Sequence, residues 1–77
     1  MQIRFEILEY LYYNSTPQPR THVWRKATTL SYDDFLKHLE YLKDKGLMAE
    51  DEEGNSVISQ EGREVFNKRR VVLPSLL

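Results

Sequence analysis

The stretch from Ser31 to Gly46 constrains this chain more than any other. Ser31 is a good helix N-cap, whose hydroxyl can accept an orphan backbone N–H, and Asp33 and Asp34 follow in the turn where a helix dipole favours negative charge. Tyr32, Phe35, Leu36, Leu39 and Leu42 recur at spacings of three, one, three and three, a continuous apolar stripe. Gly46 then supplies the residue that most easily takes the left-handed conformation beyond a helix end. The pattern predicts an amphipathic helix over about 31–45, and such a helix must bury its stripe. The chain has only 77 residues with which to do so. That length predicts one small domain, residues 1–77, with a core too limited to spare much apolar surface for an internal pocket. There are no cysteines, so neither a disulfide nor a zinc cage helps, and extra stability must come from packing or association.

Four further elements complete the expected order. Ile3, Ile7, Leu8 and Leu11 lie at helical spacing in Gln2 to Tyr13, with Arg4, Glu6 and Glu9 on the other side. The turn formers Asn14 to Pro19, which include two prolines, stop that helix near Asn14. A short second helix is expected from about Thr21 to Ala27, closed by Thr28 and Thr29. Leu47 to Glu50 and Ser56 to Ile58 read as a β-hairpin around Gly54 and Asn55, which tolerate positive φ. Ser59 caps a last helix from Gln60 to about Leu73, which Pro74 is expected to break. The fold class is α+β, mostly α, with a three-helix core, a hairpin and a C-terminal helix.

A short helix, a tight turn and a well-capped longer helix make a helix-turn-helix, and a hairpin directly after it is a wing. The later helix of such a unit fits a major groove about 12 Å wide. The residues that carry this reading also resemble a known family. Thr21-His22-Val23-Trp24 through Leu30-Ser31-Tyr32, then Leu39-Glu40-Tyr41-Leu42-Lys43-Asp44-Lys45-Gly46-Leu47-Met48, then Ile58-Ser59-Gln60-Glu61-Gly62-Arg63-Glu64-Val65-Phe66, look like the archaeal winged helix-turn-helix transcriptional regulators, which include small chromatin-type proteins. The resemblance implies double-stranded DNA as partner, with no cofactor, no small-molecule substrate and no membrane. It also implies dimerisation through a C-terminal coiled coil, of which the residues after Leu73 retain little or nothing. The turn between Ala27 and Ser31 is one residue longer than the family pattern.

Within that reading, Lys37 and Tyr41 on the outward stripe of the 31–45 helix are candidates for base edges or phosphates, with His38 on its shoulder and Thr29 and Ser31 near its start. Arg20, His22, Arg25 and Lys26 cluster along 20–27, where phosphates would lie, Arg20 and Lys26 foremost. Solvated helix faces are the bland alternative for both groups. Trp24 is either a core or interface residue or an exposed recognition aromatic. Net charge is −1, and Glu50 to Glu53 would carry four like charges on the wing toward a polyanion. The wing then either swings away from DNA or the domain serves as a protein-interaction module.

Phe5, Tyr10, Tyr12 and Tyr13 cannot all face inward from one helix, and Val71, Val72, Leu73, Leu76 and Leu77 give the carboxyl end the same apolar character. A homodimer through the first and last helices would cover both surfaces, and a tail folded back on its own core is the other solution. The two histidines and scattered acids form no catalytic or metal-binding pattern, and the acidic run lacks the order of a calcium loop. No apolar run approaches the roughly 20 residues that span a bilayer. The start Met1-Gln2-Ile3-Arg4-Phe5-Glu6 is charged too early for a signal peptide, so the chain reads as soluble and cytoplasmic.

Overall fold

A computed structural model describes the backbone of residues 2–76 and the side chains of residues 3–69. The elements are α1 (Gln2–Tyr13), β1 (Gln18–Pro19), α2 (Arg20–Ala27), α3 (Tyr32–Asp44), β2 (Met48–Glu50), β3 (Asn55–Ile58) and α4 (Gln60–Leu76). The apolar stripes do what their spacing demands. Ile7, Leu8 and Leu11 of α1, Val23 of α2 and Phe35, Leu39 and Leu42 of α3 meet in one buried core, which Met48 and Ile58 close from the hairpin. Ser31 caps α3 by accepting the Asp34 N–H at 3.3 Å. The other end of α3 is a Schellman motif: Gly46, at φ 73°, donates to the Lys43 carbonyl and Leu47 donates to that of Leu42.

Two expectations about element limits are corrected. The segment Asn14 to Pro19 is more than a turn, because Gln18–Pro19 pairs antiparallel with β3, Gln18 opposite Ser56 and Pro19 opposite Asn55. The sheet thus has three strands in the order β1-β3-β2, with β1 at an edge, where a proline's missing N–H breaks no ladder. Two residues are too few to show an alternating pattern, so nothing in the sequence marked the strand. The second correction concerns Pro74: α4 runs past it to Leu76. Proline imposes a φ that is itself helical, and at this position it costs the helix one N–H bond to the carbonyl four residues back. The side chains of the apolar carboxyl end, Val71 to Leu77, lie outside the described residues.

The wing begins one residue later than expected, at Met48, and resumes at Asn55. Its turn is closed by the Gly54 N–H on the Asp51 carbonyl at 3.0 Å, with Gly54 at φ 80°. The Asp51 carboxylate folds back to accept from the Glu53 and Asn55 N–H groups, both at 2.9 Å.

Helix α4 returns across the hairpin and covers α1. Phe66, only 1% exposed, stacks on Phe5 at 5.0 Å between ring centroids and lies 4.7 Å from Tyr12 and 5.9 Å from Tyr13. Tyr10 donates its hydroxyl hydrogen to Gln18 Oε1 at 3.2 Å, tying α1 to β1. Most of the aromatic surface expected to await a partner is therefore used within the chain, and Tyr13 alone of the four stays largely open, at 61%. The start of α4 is set by Ser59, whose Oγ accepts the Gly62 N–H at 3.0 Å and donates to the Gly46 carbonyl. A Cβ at Gly62 would collide with the Leu47 carbonyl, which is backbone and cannot rotate away. Gly62→Ala is therefore expected to cost about 2 to 3 kcal/mol, a fall in Tm of roughly 10 to 20 °C by thermal denaturation.

Candidate nucleic-acid interface

The connection from α2 to α3 is built around Trp24. Its indole N–H donates to the Leu30 carbonyl at 2.7 Å, and its ring meets Tyr32 edge-on at 5.1 Å. Thr28 ends α2 by donating both its N–H and its hydroxyl hydrogen to the Trp24 carbonyl, at 3.2 and 2.9 Å. The tryptophan thus fixes the turn from within, as a half-buried structural residue, and holds the start of α3 where it can be presented.

With Phe35, Leu39 and Leu42 buried, α3 leaves Asp33, Asp34, Lys37, Glu40, Tyr41, Asp44 and Lys45 exposed. Lys37 extends into solvent with its side chain 80% exposed, only 3.9 Å from Asp34 at the loosest reach of an ion pair. Thr29 and Ser31 are also exposed at the start of the helix. His22, Arg25 and Lys26 line the outer side of α2. Arg25, Lys26 and Thr29 form one wall of an open groove of about 690 Å³ whose other wall, from α1, carries Glu6 and Glu9.

Tyr41 and His38 are not simply part of an outward stripe. Arg4 reaches across from α1, its guanidinium carbon 3.6 Å from the Tyr41 ring centroid, and donates from Nε to His38 Nδ1 at 3.2 Å. That acceptor role puts a neutral His38's proton on Nε2. Arg4 has the charge and the reach for this, but the period of α1 assigns it only to the polar side; the sequence says nothing about which neighbour lies there.

Arg20 and the acidic run differ most from expectation. Arg20 is turned inward to Glu50, donating from Nε to Oε2 at 2.9 Å and from Nη2 to Oε1 at 2.7 Å. Lys43 of α3 adds a bond from Nζ to Oε1 at 2.9 Å and also lies 3.5 Å from Glu40. Glu50, with a side chain only 12% exposed, is therefore no part of a charged wing face, and the outward acids there reduce to Asp51, Glu52 and Glu53. Burial pushes the Glu50 carboxyl up, but hydrogen bonds and charge from Lys43 and Arg20 outweigh it and hold the carboxyl below its ordinary range. The hydrogen bond to Glu50 raises both Arg20 and Lys43 in turn, against the opposing effect of burial.

A model of the winged helix-turn-helix family matches residues 1–73. The chain belongs to that family. No curated protein and no solved structure matches it. The winged-helix protein thus has a fold of the DNA-binding regulator type. Among the described residues, four helices and a small antiparallel sheet provide the α2–turn–α3 unit and the β2–β3 wing. Among the described residues no group of acidic or histidine side chains is arranged to hold a metal ion, and no helix is long and apolar enough to cross a membrane.

The lowered carboxyl of Glu50 gives a stability contribution that is complete above its unfolded-state value and is lost as pH falls through the lower folded value. Melting the wild type beside Glu50→Gln from pH 7 to pH 3 should show the wild type's advantage shrinking across the acid range. An advantage that stays constant would mean that the carboxylate's charge contributes nothing.

Proposed function

We propose that this chain is a DNA-binding transcriptional regulator that works by binding alone, as one winged-helix domain of the kind found in archaeal regulators. The observation that carries the reading is the α2–turn–α3 unit. Its core-facing residues are fully buried, while Thr29 and Ser31 in the turn, Lys37 on α3 and Arg25 and Lys26 on α2 are exposed. In this reading the 31–45 helix enters the major groove, Lys37 reaches a base edge, and Arg25, Lys26, Thr29 and Ser31 meet phosphates. His22 lies on the same side of α2. Tyr41 and His38, held by Arg4, contribute at the shoulder of the helix.

The charge pattern sets the strength of this binding. The exposed face of α3 carries four acids against Lys37 and Lys45, and the wing adds Asp51, Glu52 and Glu53. Few phosphates are neutralised, so affinity rests on base contacts more than on the polyanion. Arg25 and Lys26 on phosphates, with Lys37 displacing a further counterion in the groove, would give a slope of log affinity on log salt of about −3 per domain. Arg25→Ala with Lys26→Ala should reduce that slope to about −1 and weaken all duplexes alike in a fluorescence-anisotropy titration. Lys37→Ala should in addition change the ranking of sequences by roughly 1 to 3 kcal/mol. Affinity that does not vary with salt would overturn the reading.

A homodimer through α1 and α4 belongs to the same proposal, since it would give paired half-sites. What supports it is the helical backbone of α4 up to Leu76 and the valines and leucines its sequence places there. The aromatic face of α1 supports it less, because Phe66 already covers much of it. Leu73→Asp is expected to shift sedimentation from dimer to monomer at micromolar concentration and to lower DNA affinity in parallel. A wild type that sediments as a folded monomer at a few hundred micromolar would rule the dimer out.

A further inference from the structure

We propose that Arg20 and Lys43 form an oxyanion subsite shaped for a DNA phosphate, and that the chain's own Glu50 carboxylate fills it, which keeps the domain's DNA affinity low. The proposal rests on the DNA-binding reading and concerns what limits it. Arg20 is the first residue of α2, Lys43 stands in the last turn of α3, and Glu50 ends β2. The three come from α2, α3 and the wing, and their charged groups meet at one point.

The geometry at that point is that of phosphate recognition. Arg20 presents Nε and Nη2 side by side to the two carboxylate oxygens, and Lys43 adds Nζ to Oε1, all between 2.7 and 2.9 Å. A guanidinium fork makes the same paired contact with a phosphodiester, which also carries one negative charge on two terminal oxygens. The side chains of Arg20 and Lys43 are about a third exposed, at 33% and 30%, so an external anion can reach them once the carboxylate is gone. A second feature at the same place favours an anion. Helix α2 follows Pro19 with no side-chain cap and no acid in its first turn, so no side chain of its own offsets the positive end of its dipole.

Glu50 holds the subsite because it is attached. Its carboxylate arrives with no loss of translational freedom, whereas a phosphate must displace it and then lie beside it as a like charge. The wild type therefore binds DNA without Arg20 or Lys43. Glu50→Gln keeps the shape and removes the charge, which releases both cations to the backbone.

The test measures duplex binding against salt for the wild type, Glu50→Gln, and Glu50→Gln combined with Arg20→Ala or Lys43→Ala. One added phosphate, held by both cations, should steepen the slope of Glu50→Gln by about 1 and tighten binding several-fold at 50 mM salt. Either second substitution should remove about half of that gain. A folded Glu50→Gln protein with the wild-type slope overturns the proposal while leaving DNA binding intact. Arg20→Ala on the wild-type background should leave the slope unchanged, and a shallower slope there overturns the proposal even if Glu50→Gln does not fold. If neither the wild type nor Glu50→Gln binds duplex, the DNA reading itself has failed, and thermal melting in sodium sulfate then decides the subsite. Sulfate should raise the Tm of Glu50→Gln more than that of the wild type at matched ionic strength, and an equal rise means there is no oxyanion subsite.

Discussion

The backbone of Leu47 is where the pieces of this domain are joined. Its N–H closes α3 on the Leu42 carbonyl and its own carbonyl accepts from Ser59, at 2.9 and 3.1 Å, so the end of one helix and the start of another share one residue. Ser59 adds its hydroxyl to the Gly46 carbonyl, and Gly62 presses against the Leu47 carbonyl where no side chain would fit. Because the hairpin departs from this junction and returns to it, the direction of the wing relative to α3 follows from these backbone contacts. The apolar core beneath them, Phe35, Leu39, Leu42, Met48 and Ile58, fixes which side of α3 is left to solvent.

On that frame the charges are arranged to satisfy one another before they meet anything else. Arg20, Lys43 and Glu50 bind α2, α3 and β2 together, Arg4 bridges α1 to Tyr41 and His38, and Asp51 spends its carboxylate on the N–H groups of the wing turn. What stays exposed on α2 and the middle of α3 is a small cationic set, Arg25, Lys26 and Lys37, set among more numerous acids. A surface of that kind resists indiscriminate attachment to a polyanion, because long-range attraction is weak and only close, well-fitted contacts contribute. In the proposed DNA-binding role, selectivity follows from the contacts themselves rather than from a background of phosphate affinity.

The aromatic residues of α1 follow the same economy of surface. Four rings on one short helix exceed what its inward stripe can hold, yet Phe66 gathers Phe5, Tyr12 and Tyr13 around itself and Tyr10 turns its hydroxyl to Gln18. Helix α4 therefore completes the monomer's own packing with its first half, and the proposed dimer draws on the apolar sequence that follows.

The sequence by itself determined the elements whose causes are local: the cap at Ser31, the stripe from Tyr32 to Leu42, the glycine stop at Gly46, the turn at Gly54 and the cap at Ser59 each act within a few residues, and each stands where its chemistry places it. From these the order of helices and hairpin, and with it the winged-helix fold, could be read. The two-residue strand β1 could not, since its only cause is an edge offered by β3 from nearly forty positions away. Nor could the fate of the charges. Spacing assigned Arg20 to a phosphate face, Glu50 to an acidic wing and Arg4 to solvent, but a charged side chain at an element's edge takes whichever partner the fold brings within reach. Those partners lie 30 residues apart for Arg20 and Glu50 and 34 for Arg4 and His38, distances in sequence over which no periodicity carries information. Only the tertiary structure, by closing α2 and α3 on the hairpin and α1 on α3, decided which cations stay exposed.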